Sequence, residues 1–344
     1  MTRIMTADEV VVGGMGPIET AAELLRQGQV VAFPTETVYG LGADARSHAA
    51  VGRIYLAKGR PGTNPLIVHV SGVEAAKACV RGFPEKAFKL AEKFWPGPLT
   101  LVLPRAGVIC AMVSAGLDTV AIRCPNHPVA QALLRAFGWP IAAPSANRSG
   151  FASPTTAQHV FAELNGRIPF ILDAGRAGAC TVGVESTVLD LSGAEGAVPT
   201  ILRPGGVTKE MIEAVIGPVA TFQGQVAAGA AAASPGMLTR HYAPRTAAFR
   251  IGRGEWDKAR AWAAGKERVV LMTHDPALAL GPPHETMVMP ADPAAYAREL
   301  YAALRAADGA WASSILVLMP DTEEGMWAAV ADRLRRATEP LPVM

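Results

Sequence analysis

Three loops gather most of the side chains able to do chemistry. The first, Pro34-Thr35-Glu36-Thr37-Val38-Tyr39-Gly40-Leu41-Gly42, follows the short apolar run Val30–Phe33. A loop at the carboxyl end of a buried strand is where open α/β sheets usually hold ligands. Two threonine hydroxyls, a carboxylate and a tyrosine exceed what a connector needs, although a turn with capping hydroxyls is the simpler account. In the second, Lys58-Gly59-Arg60-Pro61 leads through Asn64-Pro65 into another apolar run. Two cations fixed by Gly and Pro suit phosphate oxygens, Lys as a point charge and Arg as a planar fork; a solvated basic loop is the alternative. The third, Ala143-Pro144-Ser145-Ala146-Asn147-Arg148-Ser149-Gly150, offers small hydroxyl and amide groups beside Gly and Pro. Ser145 lies in no G-x-S-x-G elbow, so hydrogen bonding suits it better than nucleophilic attack.

Single residues add to these loops. Arg123 before Cys124-Pro125 and Arg203 before Pro204-Gly205-Gly206 are cations at loop mouths, where plain surface charges are as common as ligands. His69 sits inside a strand pattern, the usual place of a structural histidine, and His241 stands alone. No H-E-x-x-H, Cys/His cluster or Walker A pattern occurs, so a bound nucleotide needs another scaffold and a protein-held metal is not expected.

The elements that must position these groups alternate. Helical patterns start at Pro17 and span Ala49–Ala57, Glu74–Val80, Glu85–Phe94, Pro128–Phe137, Thr155–Leu164 and Thr208–Ile216. Strand patterns fall at Val30–Phe33, Leu66–Val70, Leu99–Leu103, Thr119–Arg123, Trp139–Ala142, Phe170–Leu172 and Ser186–Leu189. Irregular mixing of the two predicts a twisted α/β sheet and not a simple doubly wound one. An Ala/Gly-rich stretch without clear period, 217–233, then reads as a linker. From Thr246 the pattern restarts. Strands at Ala247–Ile251, Arg268–Thr273 and Ser314–Leu318 alternate with helices at Trp256–Ala264, Pro293–Ala307 and Met326–Ala337. This predicts a small parallel sheet, without a G-x-G-x-x-G dinucleotide fingerprint.

The 344 residues, half hydrophobic and 18% charged, supply two domain cores and exclude a disordered chain. Net charge is only +2, but Arg53 to Arg105 holds nine basic residues against three Glu, a difference of +6 that would steer a polyanion. Four scattered cysteines form no C-x-x-C pair and read as buried free thiols. With no signal-like segment and no apolar run of membrane-spanning length, a cytoplasmic location without membrane contact is expected.

Taken in order, several segments resemble the threonylcarbamoyl-AMP synthase family in its long form. They are PTETVYGLGADA (Pro34–Ala45), KGRPGTNPLIVHV (Lys58–Val70), WPGPLTLVL (Trp95–Leu103), APSANRSGFASPT (Ala143–Thr155), GVESTVLDL (Gly183–Leu191), ILRPGG (Ile201–Gly206) and the linker SPGMLTRHYAP (Ser234–Pro244). The resemblance covers nearly the whole chain. It implies a YrdC-like catalytic domain over 1–216 built on a twisted mixed sheet, a linker or lid over 217–245, and a smaller Rossmann-like α/β domain over 246–344. It also implies a nucleotidyl transfer in which threonine, bicarbonate and ATP give threonylcarbamoyl-AMP and pyrophosphate, with Mg2+ arriving on ATP. The matching positions assign Lys58 and Arg60 to catalysis, and Arg60, Asn64, Thr119, Asn147, Thr155, Arg203 and Tyr242 to ATP. Thr37, His69, Arg123, Ser145 and Ser186 fall to L-threonine. The product would pass to a tRNA threonylcarbamoyl transferase complex for modification of an adenosine, and the basic stretch leaves room for weak RNA binding. Two other readings stand beside this one. A non-catalytic RNA-binding module is the first; a hydrogenase-maturation type of carbamoyl-adenylate domain is the second, although its upstream Cys pairs are missing. Tyr242 and His241 are expected on a lid that keeps water from the adenylate.

Overall fold

The computed structural model describes residues 1–8, 15–178, 180–194, 196–222, 224 and 241–342. These fall into two units, the first within Met1–Ser149 and Ser153–Leu238, the second within Gly150–Ala152 and Thr239–Met344.

The first unit is one mixed sheet with helices around it. Its strands are β1 (Arg3–Thr6), β2 (Val31–Phe33), β3 (Gly40–Asp44), β4 (Ile67–His69), β5 (Leu99–Pro104), β6 (Thr119–Arg123), β7 (Ile141–Ala142), β8 (Phe170–Asp173), β9 (Thr187–Asp190), β10 (Thr200–Arg203) and β11 (Ala220–Thr221). They run in the order β1-β8-β2-β3-β7-β4-β6-β5-β9-β10-β11. Parallel pairs such as β4–β6 and antiparallel pairs such as β5–β6 mix within it. Its helices are α1 (Pro17–Arg26), α2 (His48–Lys58), α3 (Val73–Lys77), α4 (Glu85–Phe94), α5 (Pro128–Phe137), α6 (Ala157–Leu164) and α7 (Lys209–Ile216).

Strand alternation decides which groups face the core. Along β5, Leu99, Leu101 and Leu103 enter the main apolar core with Val68, Val120 and Ile122. On the opposite face Ile67, Val102, Ala121, Val188 and Leu202 form a second, small apolar cluster. One side-chain period further along, that second face carries Thr100, His69 and Arg123. Register places Thr100 beside Arg123, since Leu101 pairs with Ile122, and His69 directly beside Arg123. The polar set therefore grows from an apolar floor at the carboxyl ends of β4 and β6.

Two local readings change. The segment Pro34–Gly42 was expected to be a loop throughout, yet its last three residues belong to β3. A Cβ at Gly42 would stand 2.7 Å from Ile141 Cγ2 and 2.8 Å from the Phe33 ring. Glycine is there because neighbouring side chains close over the strand, and such a strand has no hydrophobic pattern to read. Arg203, expected at a loop mouth, is the last residue of β10, a strand that the sequence pattern did not mark.

The second unit is a five-stranded sheet of β12 (Ala248–Ile251), β13 (Val269–Thr273), β14 (Glu285–Val288), β15 (Ser314–Leu318) and β16 (Glu339–Pro340), in the order β14-β13-β15-β12-β16. Every pairing is parallel. Helices α8 (Trp256–Ala264), α9 (Pro293–Gly309) and α10 (Met326–Ala337) make the crossovers. Ile251, Trp262, Leu271 and Leu316 pack on one side of it. Parallel strands joined by helices give the Rossmann-like α/β arrangement expected from the alternation.

Candidate active site

Helix α2 delivers the basic loop. Ser47 caps its start, accepting from the Ala50 N–H at 3.2 Å, and Gly59 ends it in the left-handed region at φ +61°. The Arg60 N–H bonds back to the Tyr55 carbonyl at 3.0 Å, so the chain reverses and turns both cations inward. Lys58 is 2% exposed. Its ammonium donates to the Ser145 carbonyl at 2.6 Å, to Asn147 Oδ1 at 3.2 Å and to the Asn147 carbonyl. Three donors thus meet three acceptors, all on the APSAN loop. Ser145 Oγ donates to the same Asn147 Oδ1 at 2.5 Å. Burial first, and then the nearby Arg60, hold the Lys58 ammonium well below its ordinary pKa, while Glu163 and Glu185 oppose the shift.

Arg60 is also buried. Its fork donates to the Asn64 carbonyl at 3.1 Å, Asn64 Oδ1 at 2.6 Å and the Pro65 carbonyl at 2.8 Å. Asn64 Nδ2 is buried without a hydrogen-bond partner. An unsatisfied buried donor costs roughly 1–3 kcal/mol, so it marks a place where an acceptor such as a phosphate oxygen would be bound. Continuing the β4–β6 register by two residues sets Pro65 level with Thr119, placing the start of β6 beside this loop.

The second cluster centres on Arg123, 3% exposed. It donates through Nη1 to Thr37 Oγ1 at 2.9 Å and through Nε to the Gly97 carbonyl at 3.3 Å. Nη2 lies 2.6 Å from Glu36 Oε2 in an ion pair whose side chains are 4% exposed on both sides. The approach is off the hydrogen-bonding line, so both Glu36 carboxylate oxygens and Arg123 Nη2 make no hydrogen bond. Beside this pair, His69 is buried and its Nδ1 is unpaired. Burial, helped by the Arg123 charge, pushes the imidazole down to about 3, so it is neutral near pH 7. Ser186 Oγ and Thr100 Oγ1 share a hydrogen bond at 2.7 Å. Arg203 donates to the Ser186 carbonyl at 3.1 Å and 2.9 Å. A Cβ at Gly205 would meet the Thr187 nitrogen at 2.3 Å, which is why the RPGG turn can lie against the Glu185-Ser186-Thr187 backbone.

The PTETVYG segment links the two clusters. Thr37 touches Arg123, and three residues on Gly40 forms an antiparallel bridge with Ser145. The structure thereby brings together Lys58, Ser145 and Asn147 by direct contact, with Arg60 and Asn64 joined to each other. Thr37, Arg123 and His69 meet around the second cluster, and Ser186 stands with Thr100 and Arg203. Thr155 is buried and hydrogen-bonded to His159 Nδ1 at 3.3 Å. Tyr242 belongs to the second unit. It is 1% exposed at φ +65°, its ring near His241 (4.2 Å), Tyr301 (5.6 Å) and the Arg333 guanidinium (5.4 Å). Most of the expected lid, 225–240, lies outside the described residues.

Two carboxylates have no role in the sequence reading of the site: Glu36, noted there only as one polar group of its loop, and Glu185, which accepts from Ser153 Oγ at 2.5 Å. Glu185 carries no signal beyond standing next to Ser186. All four cysteines are free and buried, as expected. Among the described residues no group of three or more His, Cys, Asp or Glu is placed to hold a metal ion, and no helix is long and apolar enough to cross a membrane.

Known proteins match most of the chain. A family model described as "Telomere recombination" matches residues 23–205, and one described as "Threonylcarbamoyl-AMP synthase, C-terminal domain" matches 207–338. The threonylcarbamoyl-AMP synthase of Bacillus subtilis is 46% identical over 328 residues, covering 93% of this chain and 92% of its own. That of Pyrococcus abyssi is 42% identical over 335 residues, covering 93% and 94%. The crystal structure of P. abyssi Sua5 complexed with L-threonine superposes with a TM-score of 0.87 at 40% identity, covering 98% of each chain.

Proposed function

The chain belongs to the threonylcarbamoyl-AMP synthase family, a family of enzymes, and from that premise we propose how its two buried clusters divide the work. Lys58, Arg60 and Asn64 receive the triphosphate of ATP, with Thr119, Asn147, Thr155 and Arg203 around the nucleotide. Arg123, Thr37, His69, Ser145 and Ser186 receive L-threonine, the guanidinium taking its carboxylate.

The reaction balances without a covalent enzyme intermediate. The threonine amine and bicarbonate give a carbamate and water. A carbamate oxygen attacks the α-phosphorus, the bond to the β-phosphate oxygen breaks, and pyrophosphate leaves with its electron pair. A carbamic–phosphoric anhydride, threonylcarbamoyl-AMP, remains. This is nucleotidyl transfer, and charge builds on phosphoryl oxygens in its transition state. Fixed cations oriented before reaction stabilise such charge without reorganisation. Lys58 and Arg60 are so fixed, each held by carbonyl and amide oxygens. The neutral His69 adds no positive charge that would draw phosphate toward the amino-acid cluster. The two fixed charges, with the open Asn64 Nδ2 donor beside Arg60, suit a triphosphate and not a bare divalent ion. Mg2+ therefore enters this reading bound to ATP, where it would offset charge on the phosphates. The product is the activated donor for N6-threonylcarbamoyladenosine in tRNA and passes to a transferase; the reaction belongs in the cytoplasm.

The direct clamp of Lys58 onto Ser145 and Asn147 is the observation that most supports this reading. Pyrophosphate release by the purified chain tests it. The reading requires release that depends on threonine and bicarbonate together. A protein that binds RNA but releases no pyrophosphate under any combination would instead be the non-catalytic RNA-binding module.

A further inference from the structure

Glu36 has a structural role that its place in a turn does not explain. Its main chain is fixed, since its carbonyl accepts from the Val182 N–H at 2.7 Å. Its carboxylate is buried beside Arg123 at 2.6 Å, yet neither oxygen accepts a hydrogen bond, and Arg123 Nη2 donates none. Removing a carboxylate and a guanidinium from water is expensive unless their remaining hydrogen-bonding capacity is met. Here that capacity is left open on both charges at once, side by side, where Thr37 also projects its hydroxyl.

The surrounding groups add no charge. Burial lowers the His127 imidazole below its ordinary value, and burial followed by the Glu36 charge pushes the Cys180 thiol up to about 12. Burial likewise raises Cys124. The cluster therefore holds one cation, Arg123, paired with one anion, Glu36. A neutral pair with open donors on one side and open acceptors on the other fits a ligand of mirrored charge. A zwitterion bearing carboxylate and ammonium on one carbon is such a ligand, whereas a phosphate would face Glu36 unfavourably.

We propose that Glu36 is the receptor for the α-ammonium of the amino-acid substrate, Arg123 taking the carboxylate, so that the ion pair reads the zwitterion as a unit. The proposal rests on the threonine reading of this cluster and adds a specificity-determining residue to it. The amine that becomes the carbamate nitrogen is thereby held at a fixed place.

Calorimetric binding of L-threonine and of 3-hydroxybutyrate, which is threonine without its amine, tests this on the full chain. Wild type should bind threonine at least tenfold more tightly than 3-hydroxybutyrate. Glu36→Gln should weaken threonine at least tenfold, change 3-hydroxybutyrate less than twofold, and leave the KM for ATP within twofold. Equal losses for both ligands, or an amine preference kept intact in Glu36→Gln, would overturn the proposal. Should the variant not fold, wild type alone decides: binding of the two ligands within threefold means the ammonium has no receptor. Wild type that binds no threonine at all would remove the underlying reading of the cluster, an outcome distinct from the loss of Glu36's role alone.

Discussion

Residue by residue, burial does more to define this site than charge counting does. Lys58 spends its three donors on a second loop, so it holds two motifs in register as well as offering charge. His69 shows the same effect in reverse, since burial keeps it neutral. A consequence for stability follows. The imidazole titrates near 6.5 when unfolded and at about 3 when folded. Between those values the unfolded chain binds the extra proton, so stability is complete above about pH 6.5 and lost as pH falls toward 3. The slope approaches ~1.4 kcal/mol per pH unit for this one group. Chemical denaturation at pH 7, 6 and 5 should therefore show wild type losing more stability on acidification than His69→Gln. Equal losses in the two proteins would mean that His69 is not buried as described.

At the scale of elements, glycines set where the functional loops turn, by two different physical routes. Gly59 needs its left-handed φ of +61° but has no atom within 4 Å of an added Cβ. Gly205 has an added Cβ only 2.3 Å from the Thr187 nitrogen and 2.4 Å from the Glu185 carbonyl oxygen. Gly59→Ala should cost about 1 kcal/mol of strain and leave the threonine KM nearly unchanged. Gly205→Ala must displace backbone next to Ser186, so it should raise the threonine KM severalfold and destabilise more. Thermal melts and steady-state kinetics on both variants check this; a reversed order would contradict the packing described. The same glycines explain what was legible in the sequence. Helices with strong caps or apolar periodicity, such as Glu85–Phe94 and Pro128–Phe137, were readable to the residue. Strand β3 was not, because Gly40 and Gly42 erase the apolar pattern that would mark it. The short strands β1, β10, β11, β14 and β16 were also missed; β11 and β16 are two exposed residues each. In the site, Lys58, Ser145 and Asn147 meet directly, but the Glu36–Arg123 pairing joins a loop residue to the end of β6, 87 residues on, and no local pattern carries it.

For the whole molecule, the net charge of the basic stretch proves less informative than where its members lie. Lys58 and Arg60 are buried, while Lys77 pairs with Glu74 and Lys89 with Glu85 on helix surfaces. The exposed pairs are ordinary solvated helix faces; the buried cations are the ones the proposed reaction uses. The account then reduces to one event, the joining of three small molecules at two adjoining clusters. The most direct measurement is a mass spectrum of the product after incubation with ATP, Mg2+, L-threonine and 13C-bicarbonate. The account predicts an adenylate that contains one threonine and one labelled carbon, formed in step with pyrophosphate. A threonyl adenylate without the labelled carbon, or no adenylate while ATP is consumed, would contradict it.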